Sequence, residues 1–234
     1  MRALLLAAGI GSRLRPLTDN IPKCLVPIHG RPLIGYWLQL LFTAGIERVL
    51  INTHYLAEIT REYVANSSWA DRIDLVHENE LLGTGGTIVA NINYFGADPF
   101  FLAHADNLTN FNMAKLLRAH AERPAQCVMT MLSFRTDSPQ SCGILEVDGQ
   151  GIVRGFHEKV RNPPGNLANA AVYVLEPEIM SYAASLGKRV LDFQTEVIPT
   201  YLGRILTLET DGYFRDIGTP ERLRQARLEF PSPI

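Results

Sequence analysis

The chain has 234 residues, 47% hydrophobic and 20% charged, with a formal net charge of −2. That is a soluble globular composition, long enough for a large core, and it excludes the broad basic field of a nucleic-acid binder. No apolar run approaches the roughly 20 residues that span a bilayer. The N-terminus is apolar for only about seven residues before glycine, too short for a signal peptide. Cys24, Cys127 and Cys142 form no CxxC pair, so reduced thiols in a cytoplasmic protein are expected. The six histidines show neither HxxxH nor HExxH spacing, which argues against zinc.

In chain order, an apolar strand over 2–8 ends at Gly9. It is followed by a helix over 33–45, a strand over 48–53, a helix over 56–66 and a strand over 72–78. A helix over 84–95 begins after glycines, then come a strand over 99–106 and a helix over 113–122. This βα alternation predicts a parallel, doubly wound sheet. The second half changes character, with strands over 125–134, 143–148, 151–159 and 169–175 and a hairpin signal at Asp148-Gly149. A helix over 176–187, a strand over 204–210 and a helix over 219–230 complete it, the last with Thr219 as N-cap and Pro220 at its first position. The closing Pro-Ser-Pro-Ile is expected to fray. With no repeat or linker, one domain over 1–230 with a mixed sheet is expected.

Chemistry concentrates after the first strand. Gly9-Ile10-Gly11-Ser12-Arg13 stands where ligands bind in open α/β sheets, at the carboxyl end of a strand. Glycines let backbone N–H groups approach a ligand, and a guanidinium forks onto phosphate. Pro16, Pro22 and Pro27 keep the next segment out of α-helix and present Lys23 as a point charge. A dinucleotide fingerprint would need glycine where Leu14 stands and an acid where the second strand ends in Asn52-Thr53. From glycines and charges alone, a βα turn with solvated arginines stays open as an alternative.

The longer string resembles the sugar-nucleotide pyrophosphorylases, whose signature runs L-x-x-G-x-G-x-R-L-x-P-L-T, then P-K-x-L-x-P-x-x-x-x-P. Leu6, Gly9, Gly11, Arg13, Leu14, Pro16, Leu17, Thr18, Pro22, Lys23, Leu25, Pro27 and Pro32 occupy those places. The resemblance extends over nearly the whole chain. It implies a Rossmann-like α/β fold, three-layer α/β/α with a mixed, mostly parallel central sheet. It assigns 1–112 to a nucleotide-binding half and 113–230 to a sugar-phosphate-binding half, with no C-terminal β-helix domain.

The resemblance also implies site residues. Arg13 and Lys23 would be catalytic. Leu6, Ala8, Gly9, Gly11, Glu78, Gly83, Thr84 and Gly85 would bind nucleotide, the last four within Glu-Asn-Glu-Leu-Leu-Gly-Thr-Gly-Gly, where Leu81 replaces the family's proline. The glycines there would leave room for a flat base. Asp106, closing the strand over 99–106, and Asp216, in Phe-Arg-Asp-Ile-Gly-Thr-Pro, would hold Mg²⁺, which suits carboxylates combined with phosphate oxygens. Ala105 stands for the usual glycine and Phe214 for the usual tryptophan. Gly143, Glu158, Lys159 and Asn169 would hold the sugar phosphate, with Cys142 in place of tyrosine and Ala171 in place of glycine. Adjacent Glu158 and Lys159 face opposite ways on a regular strand unless a bulge turns both inward. His104 shares a strand face with Asp106, which leaves it either touching the ligand or packed, with packing slightly favoured; Arg15 is read as solvated.

The implied reaction transfers a nucleoside monophosphate from an NTP to a sugar 1-phosphate and releases pyrophosphate. The segment over 78–86 looks most like guanylyl enzymes for mannose or heptose 1-phosphate, which favours GTP and leaves UTP or dTTP as alternatives. A non-catalytic sugar-nucleotide sensor is a lower alternative. No nucleic-acid or membrane partner is expected, and homo-oligomerisation is left open. A role in sugar-nucleotide supply for cell-surface polysaccharide follows from the same resemblance.

Overall fold

Arg2–Leu6 is apolar at almost every position, as a strand covered on both faces requires. In the computed structural model, which describes residues 1–231, it pairs in parallel with Arg48–Thr53, which pairs in parallel with Ile73–His77. Helices Leu33–Thr43 and Ala57–Ala65 make the returns between them. The first stops at Gly45, whose φ of 87° lets Gly45 N–H donate to Phe42 O at 3.2 Å and Ile46 N–H to Leu41 O at 3.0 Å. That double bond is how a left-handed residue closes a helix.

The chain gathers into two compact units, each drawn from separated segments. The first comprises Met1–Leu81, Ala103–Phe111 and the described residues from Gly212 onward. The second comprises Leu82–Leu102 and Asn112–Asp211. In the first, the proline-rich segment forms three separate 3₁₀ turns, Ser12–Leu14, Leu17–Asp19 and Lys23–Leu25. The prolines exclude α-helix, as expected, yet single turns fit between them. Leu14, Val26 and Ile28 pack with Ile217, Leu223 and Ala226 in a buried cluster. That cluster seats the helix Pro220–Glu229, where the Thr219 hydroxyl caps by accepting from Arg222 N–H.

In the second unit, Leu167–Leu175 pairs antiparallel with Met129–Arg135, which pairs in parallel with Ile205–Glu209. Gly143–Val147 and Val153–Glu158 form an antiparallel hairpin. The hairpin signal at Asp148-Gly149 is real, but Gly151, not Gly149, carries the positive φ, and Asp148 Oδ1 accepts from Gln150 and Ile152 N–H. The expected helix over 84–95 is split into Gly83–Ala90 and Ile92–Phe95, because the Asn91 amide folds back to Thr87 O at 2.8 Å. The strand expected over 125–134 begins later, at Met129, because Cys127 N–H closes a turn onto Pro124 O. The result is the expected α/β class: a mixed, mostly parallel central sheet with flanking helices. Of the tail expected to fray, the residues past Pro231 lie outside the described residues. Cys24, Cys127 and Cys142 are free thiols. Among the described residues no helix is long and apolar enough to cross a membrane.

The second unit also buries His120. Its Nδ1 meets Thr130 Oγ1 at 2.9 Å and its Nε2 meets Glu176 Oε1 at 3.1 Å, with Arg123 on the same carboxylate. Burial, then the Arg123 charge, pull its pKa down to about 4, against the pull of Glu176. The ring is therefore neutral in the fold, while an unfolded chain binds a proton below its ordinary value of 6.5. Stability from this group is complete above 6.5 and is lost as pH falls toward 4. Urea melts should show a loss of about 2 kcal/mol between about pH 7.5 and pH 5 that His120→Gln removes. Equal slopes in the two proteins would contradict the burial of a neutral ring.

Candidate active site

Two strands of three residues each bring Asp106 and Asp216 together. Phe214–Asp216 pairs antiparallel with Asn107–Thr109, Asp216 lies opposite Asn107, and Ile217 N–H donates to Asp106 O at 3.1 Å. The ladder is anchored from below by Trp37, whose indole N–H donates to Asn107 O at 2.8 Å. Both carboxylates reach one cation: Lys23 Nζ lies 2.5 Å from Asp106 Oδ2 and 3.5 Å from Asp216 Oδ1. The Lys23 side chain is only 9% exposed, so solvent screens the ammonium's charge little. Burial alone would raise the Asp106 pKa. The Lys23 charge, then His104 and the Lys23 hydrogen bond, outweigh it and hold the carboxyl below its ordinary value.

The glycine loop folds onto this cluster. A Cβ on Gly11 would lie 3.1 Å from Thr18 Cγ2 and 3.2 Å from Lys23 Cβ, and Thr18 Oγ1 donates to Gly11 O at 2.7 Å. Arg13 is exposed, but its guanidinium lies against Gly218, where a Cβ would sit 3.0 Å from Arg13 Nη2 and 2.7 Å from Asp216 Oδ2. The second oxygen of Asp216 also faces Arg222, 3.5 Å away. Arg13, Lys23, Asp106 and Asp216 thus converge within the first unit. Arg15 points elsewhere, to a solvent-exposed pair with Asp19 at 3.2 Å.

Behind the loop, Ala8 is buried and Leu6 half-buried. Ala105 N–H donates to Leu6 O at 3.0 Å. Ala7 N–H donates to Asn52 Oδ1 at 2.7 Å, and Asn52 Nδ2 donates to Glu78 Oε1 at 2.9 Å. Asn52, at the position where a dinucleotide fold carries its acid, instead bridges the first strand's end to a buried carboxylate.

In the second unit, Gly83, Gly85 and Gly86 are crowded by chain rather than open. Their Cβ atoms would fall 2.6 Å from Leu191 O, 2.8 Å from Leu191 Cγ and 2.6 Å from Arg189 O. Gly85 and Gly86 N–H both donate to Leu191 O, at 2.8 and 3.1 Å, and Thr84 Oγ1 accepts from Phe193 N–H at 2.9 Å. The glycines there serve this close crossing of two backbones. Gly83 also has a φ of 73°. Gly83→Ala should therefore cost about 2 kcal/mol in a urea melt, from left-handed strain plus overpacking. Gly9→Ala, whose methyl would meet nothing within 4 Å, should stay within about 0.5 kcal/mol of the parent.

Gly143 lies opposite Glu158 in the hairpin, and its missing side chain makes room for that carboxylate, 2.6 Å from where a Cβ would stand. Lys159 adopts a φ of 49°, and its N–H donates to Cys142 O at 3.1 Å. This left-handed turn, not a bulge, swings the two side chains together: Lys159 Nζ lies 3.0 Å from Glu158 Oε1. Asn169 Oδ1 accepts from Ala171 N–H at 2.9 Å, and its Nδ2 donates to the Tyr173 hydroxyl at 2.6 Å. Ala171 has a φ of 52° inside an irregularity of its strand, a conformation glycine adopts more easily. Gln194 adds an amide within 3.1 Å of Glu158 when oriented to donate.

Sequence reading did not single out Asn52, Gln194, Gly218 or Arg222. Arg222 had a signal, lying in the first turn after Asp216, and Gln194 lies in a short helix capped by Asp192. In the sequence Asn52 figures only as the residue that stands where a dinucleotide fold carries its acid. Among the described residues no group of three or more His, Cys, Asp or Glu could hold a metal. A pair of carboxylates completed by ligand oxygens is a different arrangement and fits the donor set present.

Residues 2–232 match the sequence family described as nucleotidyl transferase. The chain belongs to that family. Among nucleotidyl transferases it is 33% identical to the mannose-1-phosphate guanylyltransferase of Mycobacterium tuberculosis, over 94% of this chain and 61% of that protein. It is 26% identical to the mannose-1-phosphate guanylyltransferase catalytic subunit beta of Xenopus tropicalis, over 94% of this chain and 62% of that one. The chain thus spans less than two thirds of these relatives. A solved structure of a putative glucose-1-phosphate thymidylyltransferase from Bacillus anthracis shares the fold, with a TM-score of 0.87 at 20% identity, covering 97% of this chain and 94% of that one. HddC from Yersinia pseudotuberculosis, complexed with GMP-PN, matches with a TM-score of 0.81 at 25% identity, over 98% and 99% of the two chains.

Proposed function

We propose that the protein transfers a nucleoside monophosphate from an NTP to a sugar 1-phosphate, with GTP and mannose or heptose 1-phosphate as the favoured pair. The observation that carries this reading is the convergence of Lys23 and Arg13 on the Asp106–Asp216 pair. The guanylyltransferase relatives and the GMP-PN complex of HddC support guanine as the base.

A sugar 1-phosphate oxygen attacks the α-phosphorus, the bond to the β-phosphate oxygen breaks, and pyrophosphate leaves with the electron pair. The nucleophile is already an anion, so no protein base is needed. The obstacle is repulsion between polyanions, roughly 4 kcal/mol for two unit charges at about 4 Å and an effective dielectric near 20. Arg13 offsets it by forking onto the triphosphate, and Lys23 by turning its ammonium to the reacting phosphates. Mg²⁺, when bound, would be held by Asp106 and Asp216 and supply further positive charge to the phosphates. The Gly9–Gly11 loop, backed by Leu6 and Ala8, lets backbone meet the nucleotide, and Glu78 borders the nucleoside. The N–H of Gly85 is committed to Leu191 O and its missing side chain makes room for the Leu191 side chain, so Gly85 serves the packing of its own unit. Gly143, Glu158 and Asn169 hold sugar hydroxyls, and Lys159 meets the sugar's phosphate. The nucleotide role falls to the first unit's loop and the sugar role to the hairpin of the second. The free thiols and the NTP substrate suit the cytoplasm, and the product suits glycosyl transfer into cell-surface polysaccharide.

A pyrophosphate-release screen tests the reading, with GTP, UTP, dTTP, ATP and CTP against a panel of sugar 1-phosphates, with and without Mg²⁺. The expected result is Mg²⁺-dependent turnover, fastest with GTP and mannose or heptose 1-phosphate. Turnover confined to UTP or dTTP would reassign the base, and none with any pair would overturn the reading.

A further inference from the structure

Lys23 holds a place that a metal ion would need. Its ammonium lies within reach of both Asp106 Oδ2, at 2.5 Å, and Asp216 Oδ1, at 3.5 Å. It is not there by the accident of a flexible surface chain. The turn Lys23–Leu25 is buried at all its residues, Pro22 precedes it, and Gly11 packs against the Lys23 Cβ. The other Asp216 oxygen faces Arg222 at 3.5 Å. The carboxylate pair is therefore charge-compensated by the protein's own cations.

A carboxylate lone pair engaged by an ammonium hydrogen is not available to a hard cation, and two cations on the same oxygens repel. We propose that Lys23 is the resident counter-ion of the Asp106–Asp216 pair, and that a divalent ion must displace it. Resting on the proposed nucleotidyl-transfer reading, this makes Lys23 a gate on metal loading. A triphosphate offers the ammonium a new set of anions, so it draws Lys23 off the carboxylates and opens them to the metal. Metal and nucleotide then bind with mutual reinforcement, and the nucleotide-free protein stays largely metal-free. One residue thereby serves as counter-ion before loading and as phosphate ligand after it.

The test reads metal binding, not activity. Mn²⁺ is titrated into nucleotide-free protein and the free ion is followed by electron paramagnetic resonance. The parent should bind weakly, and Lys23→Met at least tenfold more tightly, because the carboxylates lose their competitor. Lys23→Arg, which keeps the charge, should bind as weakly as the parent. Adding Asp216→Asn to Lys23→Met should abolish the gain. Thermal melts check folding, and Lys23→Gln, which keeps a polar head, replaces Lys23→Met if the latter does not fold. If the uncharged variants bind Mn²⁺ no more tightly than the parent, the gate is wrong. The parent's Mg²⁺-dependent turnover separates the two claims: if present alongside that result, only the gate fails. If neither parent nor variants bind Mn²⁺ and no turnover is found, the reading beneath it fails as well.

Discussion

Asp106→Asn should turn over its substrates about a thousandfold more slowly than the parent, a loss of about 4 kcal/mol in transition-state stabilisation. The substitution preserves shape, so the ladder that pairs Asp216 with Asn107 and the bond from Ile217 N–H to Asp106 O should survive. What it removes is one negative charge from the pair. The amide is a poor ligand for a hard cation, and Lys23 loses its shorter ion pair at 2.5 Å. Stability should fall by only about 1–2 kcal/mol, since Lys23 still has Asp216 and the site is partly solvated. The check is kcat at saturating Mg²⁺ beside a urea melt. Turnover within tenfold of the parent would remove Asp106 from the chemistry.

Arg13→Ala should lower kcat/KM for the NTP by at least two orders of magnitude, or about 3 kcal/mol. Its guanidinium lies against Gly218 beside Asp216, placed to fork onto a phosphate as it arrives. Arg13→Lys should recover little, because an ammonium cannot reproduce the planar two-point contact. The melting midpoint should barely move, since Arg13 is exposed. Arg15→Ala is the internal control. Arg15 pairs with Asp19 in solvent, and turnover should stay within about twofold of the parent, as expected for a surface pair. Equal losses in the two variants would mean that a general basic field, not a placed guanidinium, assists the reaction.

Strands and helices were legible where their signals are local. Apolar runs, a helix-closing glycine at Gly45 and the Thr219-Pro220 cap each act within a few residues. What escaped depends on chain segments far apart in sequence. The ladder joining Asp106 to Asp216 is too short for any periodicity to mark, and it exists because two distant segments meet. The glycines after Leu82 read as room for a base, yet their spacing answers to Leu191 and Arg189. Glu158 and Lys159 looked opposed on an ideal strand, and a left-handed φ at Lys159 reverses that conclusion. Charge pairing was the least visible of all, since nothing in Pro22-Lys23-Cys24 says which carboxylates its ammonium will meet.

In the proposed reaction an NTP and a sugar 1-phosphate become an NDP-sugar and pyrophosphate. Phosphorus-31 nuclear magnetic resonance of the protein with GTP, mannose 1-phosphate and Mg²⁺ tests it most directly. The sugar phosphate resonance should be replaced by the paired signals of a sugar diphosphate diester, with pyrophosphate rising in equal amount. Nucleoside diphosphate and inorganic phosphate rising instead, with the sugar phosphate signal unchanged, would contradict it.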